Sequence, residues 1–150
     1  MTKVLHHDVT VPVDADGSWV DSGRWRDQGV VHWHLIEPRE WGINESARFD
    51  TERADAERAR SSAGVARTPG DVVAWMTSVT DQLIADNRLD EESLRSSGLA
   101  TPEDRGSRAE TETRFRMAML GFDVCSMLAL RGGRISHFSA YAMTYCTAPH

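Results

Sequence analysis

The residues with most chemical promise are His32 and His34 in the run Gly29–Ile36, GVVHWHLI, with Glu37 following and Glu40 close by. On a β-strand, positions two apart project from the same face. Both imidazoles then reach toward one point, and a carboxylate just past the strand end adds an oxygen ligand. His32, His34 and Glu37 are therefore candidate metal ligands of the kind that suits zinc, iron, nickel or cobalt. The competing reading of the same residues is two histidines on the polar face of a half-buried strand.

Other reactive side chains form no comparable group. His6 and His7 near the start are a solvated pair able to take up a metal adventitiously. His137 and Cys125 would make a thiol–imidazole pair if the fold joined them, but on a helical apolar face Cys125 reads as core. Catalytic residues are not assignable. The chain has no G-x-S-x-G, no phosphate-binding glycine loop, no H-E-x-x-H and no Cys-x-x-Cys. Cys125 and Cys146 are too few and too far apart for a disulfide framework or a cysteine-based metal site. Without an export signal they read as reduced thiols in a cytoplasmic protein.

The elements that must position these groups follow from patterning. Residues 3–13 alternate toward a strand, ending at Val9, Val11 and Val13, and Asp14-Ala15-Asp16-Gly17 is turn chemistry. In the second strand, Val31, Trp33 and Leu35 face one side and the histidines the other, with Pro38 ending it. Residues 45–62 carry many charges and one large apolar residue, Phe49, which reads as a solvated helix or linker. Thr68-Pro69-Gly70-Asp71 opens a helix whose stripe is Val72, Trp75, Met76, Val79 and Leu83, closed by Asn87. Asp90 caps a short helix, and 99–108 reads as a loop. Residues 109–131 are read as a long helix stopped by Gly132-Gly133; the alternative is a β-hairpin, VCSMLAL and ISHFSAY around the glycines.

The fold class expected from this is α+β, mainly helical: a strand-rich segment at 1–44, a charged helix or linker at 45–67, and a helical part at 68–150. The 150 residues suit one domain of this kind. A net charge of −6 argues against a nucleic-acid partner, and the absence of a long apolar run argues against a membrane span. Sixteen of the seventeen basic residues are arginine, a type favoured at protein interfaces.

Three fragments resemble the non-catalytic, β-type subunits of the nitrile hydratase and thiocyanate hydrolase family. They are His6–Gly42, with HHDVTVPVDADG and VVHWHLIEPREWG; Val72–Leu94, VVAWMTSVTDQLIADNRLDEESL; and Phe115–Tyr141, FRMAMLGFDVCSMLALRGGRISHFSAY. The last is similar to a family helix carrying a Leu-Ala pair. The resemblance implies an accessory subunit of a metal-dependent hydratase or hydrolase, a lyase-type complex. Its cobalt or iron would sit in a partner catalytic chain, with none bound here. Two other readings stand beside it. The ending LRGGRISHFSAY resembles the last hairpin of SnoaL-like cyclases and hydrolases, which implies a stand-alone α+β enzyme or ligand binder with His137 as a base. The third is a small metal enzyme built on His32, His34 and Glu37, whose His-x-His resembles part of the first cupin motif.

Overall fold

The computed structural model describes residues 11–42, 62–90, 92 and 108–146, with side chains from residue 111 in the last stretch. The order of elements is α1 (Arg24–Asp27), β1 (His32–Gly42), β2 (Gly64–Ala66), α2 (Pro69–Ala85), α3 (Arg108–Met119), β3 (Val124–Leu130) and β4 (Arg134–Met143). The four strands form one antiparallel sheet in the order β2-β1-β4-β3. No helix among the described residues is long and apolar enough to cross a membrane.

The expectation of a mainly helical chain with strands confined to its start is corrected at residues 109–131. Helix α3 stops at Met119, and the chain continues as the β3–β4 hairpin. Gly121, in the left-handed region at φ 86°, causes the stop. The Gly121 amide donates to Ala118 O and the Phe122 amide to Met117 O, the paired bonds of a Schellman cap. Beyond it the pattern has period two. Val124, Ser126, Leu128 and Leu130 are buried, whereas Cys125 and Met127 are exposed. Residues Arg131, Gly132 and Gly133 turn the hairpin, with both glycines at positive φ. The Leu-Ala pair of the third resembling fragment therefore lies on a strand.

Helix α2 forms as its sequence predicts. Thr68 Oγ1 accepts from the Asp71 amide at 3.1 Å, Pro69 occupies the first turn, and Asn87 (φ 55°) follows the last turn. Val72, Met76 and Thr80 are buried. The Asp14–Gly17 turn is also present, with Asp14 Oδ1 accepting from the Asp16 and Ser18 amides. Val13 pairs with Trp19 in a single bridge. Residues 3–10 and 45–61 of the expected first strand and charged segment lie outside the described residues, as does nearly all of the short helix after Asp90.

The two sheet faces have different surroundings. One carries Trp33, Leu35, Ala66, Val124, Leu128, Leu130, Phe138 and Ala140, which pack with Val72 and Met76 of α2 and Ala118 of α3. Trp33 and Phe138 are fully buried there. Trp33 Nε1 donates to Phe122 O at 3.2 Å, tying β1 to the turn after α3. The opposite face carries His32, His34 and Ile36 from β1, and His137, Ser139, Tyr141 and Met143 from β4. Apart from the half-buried Met143 these are buried too.

A candidate metal centre on one face of the sheet

His32 and His34 sit in the middle of the sheet because β1 is flanked by β2 and β4. Their cross-strand partners on β4 are Met143 and Tyr141. As the alternation requires, both project away from the Trp33 and Leu35 face. Both are more than nine-tenths buried. The rings stack with centroids 5.0 Å apart and 17° between planes. Their Nε2 atoms are 3.2 Å apart.

A third donor arrives from the far end of the described chain. Strand β4 ends at Met143, and three residues on, Cys146 places Sγ 3.3 Å from His34 Nε2. One donor atom from each of His32, His34 and Cys146 lies within 4.8 Å of the others. The cysteine is half-buried, so the group opens toward solvent on its side.

Glu37 and Glu40 do not join this group. The β1–β4 register advances from Ile36–Ser139 to Arg39–His137, three residues on β1 against two on β4. The extra residue is a β-bulge at Glu37 and Pro38, where a proline costs no ladder bond. Pro38 thus interrupts pairing without ending the strand, contrary to the expectation from sequence. The bulge also reverses which face odd and even residues occupy. Glu37 is exposed at the bulge. Glu40 falls on the side away from the histidines, where it pairs with Arg88 and accepts from Arg134 Nε at 3.3 Å. Trp41 falls on the histidine side instead and stacks on His137, with centroids 5.4 Å apart and 19° between planes.

His137 and Cys125 lie on neighbouring strands of this same face, but opposite Met127 and Ser139 respectively. His137 Nε2 meets Ser139 Oγ at 3.4 Å. Cys125 is exposed. His6 and His7 lie outside the described residues.

Sequence reasoning found two of the three converging side chains and missed Cys146. Cys146 follows His34 by 112 residues, and only the β1–β4 register joins them. No local signal marks it.

No family model, curated protein or solved structure matches the chain.

Proposed function

We propose that this chain is a small metal protein in which His32, His34 and Cys146 bind one transition-metal ion. The observation that carries this reading is the spacing of the donor atoms. Two imidazole nitrogens bound to one tetrahedral zinc-sized ion stand about 3.4 Å apart, and a nitrogen and a thiolate about 3.6 Å apart. The corresponding distances here are 3.2 Å and 3.3 Å. Two of the three donor pairs already stand close to the separations that binding requires, and the third, His32 with Cys146, lies within 4.8 Å, so a side-chain shift closes the set.

The donor chemistry points the same way. Two imidazoles and a thiolate select borderline and soft ions such as zinc and copper, and not magnesium or calcium. Three protein ligands leave one coordination position for water or a further donor, the pattern of reactive metal sites. Elsewhere on this face, Tyr141, Ser139 and His137 supply polar groups within a buried surround.

The test is metal stoichiometry on the untagged full chain. The metal-free protein is titrated with Zn²⁺, and bound metal is quantified by elemental analysis. One equivalent is expected. His34→Ala and Cys146→Ala should each weaken binding by more than about 100-fold, beyond the 10–100-fold typical for losing an outer-shell partner. A variant with His6 and His7 changed to alanine should keep full stoichiometry. Absence of bound metal in the parent chain, or its loss with the His6/His7 variant alone, overturns the reading.

A further inference from the structure

Resting on the metal-centre reading above, we infer that the centre is a copper site in which Met143 supplies the fourth, weak ligand. Met143 is the direct cross-strand partner of His32. In an antiparallel ladder, opposed residues share a face, with Cβ atoms about 4.5–5.5 Å apart. Met143 therefore stands beside His32 on the side that carries His34 and the Cys146 sulfur. Its thioether is on a side chain with three rotatable bonds, able to close such a gap. Only Thr144 and Tyr145 separate Met143 from Cys146, so the end of β4 brings two sulfur side chains to the same pair of imidazoles.

Two imidazoles, one thiolate and a long thioether contact form the donor set of copper centres that carry single electrons. The soft sulfurs favour Cu(I) and the imidazoles also suit Cu(II), so one donor set serves both oxidation states. The histidines sit on a strand paired on both sides. That rigidity limits the geometric change between the states. The half-buried Cys146 places the ion near the surface, within reach of an external donor. In the reaction, Cu(II) accepts one electron from an external one-electron reductant and becomes Cu(I). No protein bond is made or broken.

The experiment uses the full chain carrying Cys125→Ser, which removes the exposed thiol that has no part in the centre. The metal-free protein is loaded anaerobically with Cu²⁺ and, separately, with Zn²⁺. The copper form should show an intense visible thiolate-to-Cu(II) band, absent from the zinc form, bleached by ascorbate and restored on reoxidation. Met143→Leu should retain the band and one copper per chain while raising the reduction potential. Met143→Gln, which offers a stronger oxygen donor, should lower it. A chain that binds one zinc but gives no thiolate band with copper overturns the copper assignment and leaves the metal centre standing. A band with a potential unmoved by either Met143 variant overturns the ligand role of Met143. Failure to bind either ion overturns the metal-centre reading itself.

Discussion

His32 and His34 bring their Nε2 atoms to 3.2 Å of each other on a single strand, and the His34 nitrogen also meets Cys146 Sγ at 3.3 Å. One imidazole nitrogen thus stands between the two other donors. In the metal-free chain this nitrogen can share only one proton with its neighbours. An ion bound as proposed would instead take up all three lone pairs together.

Metal loading should stabilise the fold. A ligand present at about 100 times its dissociation constant adds about 2.7 kcal/mol. For a chain of this size that corresponds to a melting shift of roughly 5–10 °C. Differential scanning calorimetry with and without Zn²⁺ should show it for the parent chain and not for His34→Ala. An equal shift in both proteins would locate the stabilising ion elsewhere.

The two thiols should differ in their response to metal. Cys125 projects from β3 to solvent, whereas Cys146 lies at the donor group. Iodoacetamide followed by peptide mapping should label Cys125 at the same rate with or without Zn²⁺. Labelling of Cys146 should slow at least tenfold in the metal form, because the alkylating agent and the ion compete for one sulfur lone pair. Equal labelling of Cys146 in both forms counts against its role as a ligand.

The bulge absorbs one extra residue on β1, so removing that residue should be tolerated. Deleting Pro38 sets two residues of β1 against two of β4 between Ile36 and Arg39, which leaves Trp41 on the His137 side and Glu40 on the side away from the histidines. The expected loss is under about 1 kcal/mol, because Glu37 and Pro38 are exposed and no buried side chain changes face. Urea unfolding would measure this loss. A loss of about 3 kcal/mol or more, the scale of displacing a buried tryptophan, would show that the register after Ile36 depends on the extra residue.

Gly121 should tolerate no side chain. Its φ is 86°, and a Cβ there would lie 3.2 Å from Gln28 Cβ and 3.3 Å from Val30 Cγ2. Gly121→Ala is expected to cost about 1–3 kcal/mol through backbone strain and crowding. Asn87 has a similar φ of 55° after α2. There Asn87→Gly should change stability by less than about 1 kcal/mol, the backbone gain set against the lost contact from Arg131 to Asn87 Oδ1. Chemical denaturation of the two variants side by side separates the effects.

Local order was legible in the sequence where a motif closes on itself within a few residues. The Thr68–Asp71 cap, the α2 stripe and the Asp14 turn each depend on neighbours in the chain. So does the projection of His32 and His34 from one face of β1, which needs only the strand period. The β3–β4 hairpin was harder to read. Met, Ala and Leu favour helix locally, and the burial of alternate residues against α2 and α3 outweighed that preference. The tertiary structure alone decided the composition of the donor group. An extra residue at Pro38 turned Glu40 away from the histidines, and the β1–β4 register brought Cys146 to them from 112 residues away. Strand pairing over such a separation is settled by the buried faces of the whole sheet, and no short stretch of residues encodes it.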